Sequence, residues 1–379
     1  MTGPGRWVVT GGAGYVGGHV VAALRDAGAE VTVLDDLSTG HADRVPAGVG
    51  LVRGQVADRT LLARVLPGAD GVVHLAARTS APESVADPLA YYRANVTDLL
   101  TLLEAMGTAG VPRLVASSSA AVYGTGGSGP AALPESAPTR PLSPYGRTKL
   151  IGEHLLADVG PALGVATVAL RYFNVAGALT PVLADTKAGG LVTAALTALR
   201  ADRVLTVHGH DHPTPDGTPV RDYVHPADVA GAHVAAVHRL TGGWSGTAVY
   251  NVGTGHGTSV LELLRGLSTV TGHPLRTRFG PARAGDPAVA VADPAAITAD
   301  LGWVARHDVL ECLRSAWSCA PQRTGVTGVP GDPGDPAAEG QTGRAGTGRW
   351  VTPPAPSGST RHARPAGRTV TASASSVPM

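Results

Sequence analysis

Residues 8–17 read Val-Val-Thr-Gly-Gly-Ala-Gly-Tyr-Val-Gly, an apolar strand running into a turn with glycines at 11, 14 and 17. No other stretch constrains the chain as strongly. Glycines three apart between a strand and a helix permit a tight turn, and they let backbone N–H groups and the helix N-terminus approach a pyrophosphate. The flanks agree with that use. Trp7 to Thr10 reads as the strand, His19 to Ala27 as the helix, and Glu30 to Leu34 as a second strand that closes on Asp35. A carboxylate about twenty residues past the turn can accept hydrogen bonds from ribose hydroxyls and repels a 2′-phosphate, so the expected cofactor is NAD rather than NADP. Asp36 beside it reads as a solvated turn residue.

The alternation continues. Gly71 to Leu75 and Arg113 to Ser117 repeat the strand signal with Ala/Leu-rich helical stretches between them, which predicts an α/β fold with a doubly wound parallel sheet of the Rossmann type. A single core stops growing near ~250–300 residues, so a chain of 379 is expected to hold more than one domain. The regular alternation loosens after Asn174. Residues 1–174 are therefore expected to form mainly the NAD-binding domain, and 175–320 mainly a smaller substrate lobe with some segments returning to the first. From Pro321 onward the chain has 10 Gly and 9 Pro in 59 residues, five Val, and no Leu, Ile or Phe. Such a segment cannot bury enough apolar area to offset its ordering entropy, so 321–379 is expected to be a disordered tail.

Composition narrows the partners. A formal net charge of +1 gives no electrostatic footprint for nucleic acid. No apolar run reaches the ~18 residues of a membrane span, and the start carries no basic stretch followed by an apolar core. Cys312 and Cys319 match neither a zinc-ligand set nor a disulfide framework, which fits a reducing cytoplasm. His208, His210 and His212 alternate like metal ligands, but Pro213 and Pro215 point to a loop, and no metal is expected. A small-molecule substrate is the expectation that remains.

Ser143 to Lys149 reads Ser-Pro-Tyr-Gly-Arg-Thr-Lys. Ser143 suits a helix cap and Pro144 the first helical position, which places Tyr145 and Lys149 four apart on one face. A phenol is a poor base at neutral pH, but a nearby ammonium together with an oxidised nicotinamide favours the phenolate, so Tyr145 is a candidate general base. The strand before it ends in Ser117, Ser118 and Ser119. Ser119 is the candidate to sit beside Tyr145 and hydrogen-bond the hydroxyl being oxidised.

These stretches, with HLAARTSAPESV (74–85), YYRANV (91–96), LRYFNVAGA (170–178), PTPDGTPVRDYVHPADVA (213–230), YNVGTG (250–255) and ARAGDPAVAVAD (282–293), resemble the extended short-chain dehydrogenases, and within them the UDP-glucose/UDP-galactose 4-epimerases. The resemblance runs from Val8 to about Trp317. It implies that Gly11, Gly14, Tyr15, Val16, Gly17 and Asp35 hold NAD, with Gln55 and Val56 near the adenine, Leu75 and Ala76 along the ribose and pyrophosphate, and Asn95 beside the dinucleotide. Lys149 would bind the nicotinamide ribose as well as tune Tyr145. Phe173 and Asn174 fall where the family contacts the sugar nucleotide. Arg221, Arg283 and Asp286 fall where it grips the diphosphate and uridine ribose, a role suited to bidentate guanidinium. Ala290 falls where the family has a residue whose bulk limits the space around the sugar's 2′ substituent.

The resemblance further implies a UDP-hexose substrate, inversion at C4 through a 4-keto intermediate, and a cofactor that is retained. A homodimer is compatible with it. Gln55 stands where the family usually has an aspartate. The segment Leu179 to Val192 lacks the family's usual loop motif, with Gly189 at a frequent phosphate contact, and His208 replaces an aromatic at the uracil. Two other readings compete. A nucleotide-sugar 4,6-dehydratase needs an acid/base pair just after the catalytic Ser or Thr, where this chain has Ala120 and Ala121. A catalytically silent NAD-binding protein would have no need of Ser119, Tyr145 and Lys149 together.

Overall fold

The structure, a computed structural model, describes residues 4–125, 132–187, 189–283 and 285–320. The tail expected over 321–379 lies outside them. β1 (Arg6–Thr10) passes through the glycine turn into α1 (Tyr15–Asp26), followed by β2 (Glu30–Asp35), β3 (Gly50–Arg53), α2 (Arg59–Val65) and β4 (Gly71–His74). Next come α3 (Ala81–Ala86), α4 (Pro88–Tyr92), α5 (Asp98–Ala109), β5 (Arg113–Ser119), α6 (Pro144–Leu163) and β6 (Ala166–Tyr172). The later elements are β7 (Asn174–Val175), α7 (Leu191–Arg200), β8 (Leu205–His208), β9 (Val220–Val224), α8 (Pro226–Thr241), β10 (Thr247–Val252) and β11 (Gly257–Ser259). The series ends with α9 (Val260–Thr271), β12 (Thr277–Gly280), β13 (Val289–Ala290), α10 (Ala295–Leu301) and α11 (Val309–Cys319).

Seven strands pair in parallel in the order β10-β6-β5-β4-β1-β2-β3, the Rossmann-type α/β sheet expected from the alternation. Their Val-rich sequences are explained by burial on both faces. Alternate residues point to opposite sides, so Val9, Val73 and Val115 pack with Val20, Leu24, Val229 and Val237 of α1 and α8. Val8, Val72 and Leu114 pack with Leu62, Leu102 and Leu156 of α2, α5 and α6 on the other side. The strand order reverses between β1 and β4. In sheets of this kind the crevice beyond the strands' carboxyl ends at that point is where a ligand sits.

Two smaller sheets follow. β9 carries β11 on one edge and β13 on the other, with β7 also pairing to it, and β8 pairs with β12. A separate apolar cluster from α7, α9 and α11, including Ala195, Leu264, Leu267 and Leu313, supports them.

Two boundaries differ from the sequence reading. The first helix starts at Tyr15, four residues ahead of the expected His19, because Gly17 and Gly18 are helical, Gly17 packed against the turn and Gly18 against Leu183 and Arg44. β5 runs to Ser119 instead of stopping at Ser117, since Ser118 and Ser119 still pair with Arg171 and Tyr172 of β6.

Candidate active site

Gly11 has φ +72°, and a Cβ there would lie 2.5 Å from the backbone nitrogen of Ala76. A Cβ on Gly17 would lie 2.1 Å from the carbonyl oxygen of Gly11. Only glycine permits this approach. Gly14 caps α1 with no side-chain hydrogen bond, so the first N–H groups of the helix, at Tyr15, Val16 and Gly17, are presented without a protein cap. Asp35 stands at the end of β2, buried, with Oδ2 accepting from Ala13 N–H (2.9 Å) and Oδ1 from Leu37 N–H (2.8 Å). Each oxygen keeps a further lone pair, so the carboxylate fixes the turn and can still accept from hydroxyl groups.

Around this cradle, Leu75 and Ala76 are half-buried just past β4, Gln55 is exposed, and Val56 is buried. The Tyr15 phenol donates to the Gly177 carbonyl (2.6 Å), away from the glycine turn. Asn95 accepts from Arg78 N–H (2.8 Å) and donates to the Arg78 carbonyl (3.0 Å) and to Thr148 Oγ1 (3.0 Å). Its amide thus ties the loop after β4 to α6.

Ser143 starts α6 as expected, its Oγ accepting from Gly146 N–H at 3.1 Å with Pro144 in the first turn. That start presents Tyr145 toward the end of β5, near enough to Ser119 for the serine hydroxyl to favour the phenolate. Ser119 Oγ also accepts from Ala121 N–H (3.2 Å), and the Tyr145 ring stands edge-on to Tyr91. Lys149 donates to the Ser117 carbonyl (2.9 Å) and to Ser117 Oγ (3.0 Å).

Burial dominates the electrostatics of the protein's own groups in this site. Burial raises the Tyr145 phenol above its ordinary value, and the Ser119 hydroxyl only opposes that. The physical reason is that the ring is withdrawn from water, which disfavours the charged phenolate. Burial also lowers Lys149 to about 8, against the pull of the Glu153 carboxylate. His74, bonded through Nδ1 to Thr10 Oγ1 (2.8 Å), is lowered to about 3 by burial and by Lys149.

On the far side of the site, Arg221 forms an ion pair with Asp286 and donates to the Val220 carbonyl (2.8 Å). Ala290 lies opposite Arg221 in the β9–β13 pairing, which brings these three expected substrate residues together. Arg283 is exposed, its carbonyl accepting from Asp286 N–H (3.1 Å). Phe173 is buried against Tyr123, Leu133 and Ala292, forming a floor. Asn174 is exposed at the rim of a cavity of about 820 Å³, which Tyr15, Gly190, Thr193 and Tyr223 also line. That cavity does not reach Ser119 or Tyr145. A second, of about 20 Å³ and so sized for roughly one water, lies against Ser117, Lys149, Asn95 and His74.

The comparisons with known proteins agree with this geometry. Residues 7–253 match the NAD dependent epimerase/dehydratase family. The chain belongs to that family. The UDP-glucose 4-epimerase of Azospirillum brasilense is 46% identical over 325 residues, covering 83% of this chain and 91% of its own. That of Streptomyces lividans is 43% identical over 320 residues, covering 83% and 95%. Among solved structures, the UDP-glucose 4-epimerase from Stenotrophomonas maltophila with bound NAD and formylated UDP-arabinopyranose superposes with a TM-score of 0.79 at 37% identity, covering 83% of this chain and 97% of that one.

In this member of the epimerase/dehydratase family, the cradle fits NAD: backbone approaches only glycine allows, open N–H groups at α1, and a buried carboxylate at the end of β2. The departing segment after Ala178 is anchored to the NAD side. Arg44 donates to the carbonyls of Val182 (3.2 Å) and Ala184 (2.7 Å), and Asp185 accepts from Thr193 Oγ1 (3.0 Å). Ser117, read from the sequence only as part of a strand end, and Glu153 and Arg171, which the sequence reading passed over, complete the surroundings of Lys149. Glu153 had a visible signal, since it follows Lys149 at helical spacing. Arg171 had none, because its pairing depends on the β5–β6 register.

Proposed function

We propose that the chain interconverts UDP-galactose and UDP-glucose by inverting C4 through a 4-keto sugar. The observation that carries this is Tyr145 and Lys149 one turn apart on α6, with Lys149 held to Ser117 at the end of β5 that Ser119 closes, in a chain that belongs to this family. Gly11, Gly14, Tyr15, Val16, Gly17 and Asp35 would hold NAD, with Gln55, Val56, Leu75, Ala76, Asn95 and Lys149 around it. NAD, when bound, supplies a reversible hydride acceptor.

The chain's own residues handle protons and position. Tyr145 Oη takes the proton of the sugar 4-hydroxyl and returns it after the ketose has turned over, while Ser119 Oγ holds that hydroxyl and shortens the proton's path. Lys149 supplies the positive charge beside them. Arg221, Arg283 and Asp286 grip the UDP handle, Phe173 and Asn174 border the sugar, and the binding energy of that handle keeps the ketone from escaping. Residues 1–174 serve mainly the cofactor and 175–320 mainly the substrate, with β10 returned to the large sheet. A cytoplasmic setting and a homodimer belong to the same proposal.

The test is incubation of the purified protein with UDP-galactose, followed by proton NMR of the anomeric signals. A mixture with UDP-glucose is expected, and Tyr145→Phe should lower turnover at least ~10²-fold while NAD stays bound. Unchanged UDP-galactose, or near-normal turnover in the Phe variant, overturns the proposal.

A further inference from the structure

Of the 30 lysines and arginines in the chain, only Lys149 and Lys187 are lysines. Everywhere else the chain uses guanidinium, which keeps its charge at any ordinary pH. Lys187 is exposed. Lys149 is buried, so the cation of this site is both the one that can lose its proton and the one least able to hold it. Something nearby has to retain that proton.

His74 on β4 is held neutral by burial and contributes no charge. Ser117 on β5 contributes a carbonyl and a hydroxyl. Tyr145 precedes it on α6, and Tyr172 on β6, adjacent to Tyr145, is held as the neutral phenol by burial. Glu153 stands one turn further along α6 and lines the same small cavity as Lys149. Its carboxylate is fixed from two strands: Arg171 on β6 donates Nε to Oε1 (2.9 Å) and Nη2 to Oε2 (2.7 Å), and Ser118 on β5 donates its hydroxyl to Oε1. Both side chains of the pair are about 95% buried, at 6% and 5% exposure.

We propose that Glu153 is a positioning residue that acts through Lys149. Clamped by Arg171 and Ser118, it keeps a negative charge one helical turn from the ammonium and holds α6 against the strand ends that carry Ser117 and Ser119. Burial and the carboxylate oppose each other at Lys149, which lies at about 8 as a result. Removing the carboxylate leaves burial unopposed, so the ammonium gives up its proton at lower pH. The link to turnover rests on the function proposed above; the effect on Lys149 does not.

Having two lysines makes the measurement direct. The protein is labelled with ¹³C-lysine and the Cε signals are followed by NMR against pH, with Lys187→Arg assigning the Lys149 signal. In Glu153→Gln the Lys149 midpoint should fall by about one pH unit, a tenfold change in its protonation ratio. The alkaline limb of epimerisation should move down by the same amount, with KM for UDP-galactose unchanged. Since Glu153→Gln leaves the Arg171 charge buried and unpaired, the double variant Glu153→Gln/Arg171→Met is measured beside it. That variant removes both charges, is expected to fold, and should show a smaller shift in the same direction, because loss of the Arg171 charge partly offsets loss of the carboxylate.

An unmoved Lys149 midpoint in folded Glu153→Gln, or a larger downward shift in the double variant than in Glu153→Gln, overturns the proposal. Loss of folding in both does so as well, because the pair would then be a packing element. If Lys149 shifts as expected but the native protein leaves UDP-galactose unchanged, the function fails and the positioning role stands.

Discussion

Replacing Gly17 by alanine adds one methyl group, and its position is set by the backbone. The new carbon would meet Gly11 O at 2.1 Å and Gly12 Cα at 2.8 Å, where ordinary contacts begin near 3.4 Å. Both obstacles are main-chain atoms, so α1 must move away from the turn by about 1 Å. A hydrogen bond stretched by that much is lost, and one to a charged group is worth ~1.5–3 kcal/mol. Losing one such bond to the NAD diphosphate weakens affinity ~10–100-fold. The control is Gly152→Ala on α6, where the nearest atom is the flexible Leu99 Cδ2 at 3.4 Å and alanine gains helix propensity. Calorimetric titration of NAD into the cofactor-stripped proteins should show the loss for Gly17→Ala alone. If Gly17→Ala binds NAD within threefold of the native protein, the close-approach reasoning is wrong.

Other outcomes follow from the same structure. Arg171→Met leaves Glu153 buried without its partner, at a cost of roughly 3–5 kcal/mol, so the melting temperature should fall clearly and recover by more than half in Glu153→Gln/Arg171→Met; equal losses would point to packing instead. Ala290→Tyr should suppress turnover of UDP-N-acetylglucosamine far more than that of UDP-glucose, and an equal effect on the two specificity constants would exclude Ala290 as the size filter. His19, His74, His225 and His233 are buried, with values lowered by burial to about 4, 3, 4 and 4. They stay neutral in the fold while the unfolded chain takes protons near ~6.5, so stability is lost as pH falls from there, by roughly 1.4 kcal/mol per pH unit for each histidine. Melting temperatures measured from pH 7 to 4.5 should drop steeply, with a shallower slope in His233→Gln, and a flat profile contradicts the account.

The large sheet was legible because its signals are local. A Val-rich strand, a glycine turn and an apolar helix can each be read within a dozen residues, and the parallel pairing follows from their alternation. Tyr145 and Lys149 were legible for the same reason, sharing one helix at four-residue spacing. What escaped depends on register between distant segments. Nothing near Arg171 indicates that it will stand opposite Ser118 on the neighbouring strand, and nothing near Tyr15 indicates that its phenol will reach Gly177. The early start of α1 escaped because glycine is a poor helix former by propensity, and close packing overrides that preference, against the turn at Gly17 and against Leu183 and Arg44 at Gly18.

β10 sits at one edge of the large sheet, paired only with β6, yet it is made 75 residues after β6 ends, since β6 closes at Tyr172 and β10 opens at Thr247. During synthesis, the six strands through Tyr172 can assemble while the β6 edge still exposes unpaired N–H and C=O groups, a template for a strand from another chain. That edge closes only once Val252 has left the ribosome, which at ~5–20 residues per second leaves an interval of several seconds. A truncated chain ending near Asn174 would keep the edge open for good. Ribosome stalling in the second half of the message should therefore yield nascent chains prone to aggregation, although the glycine turn and α6 have already been made.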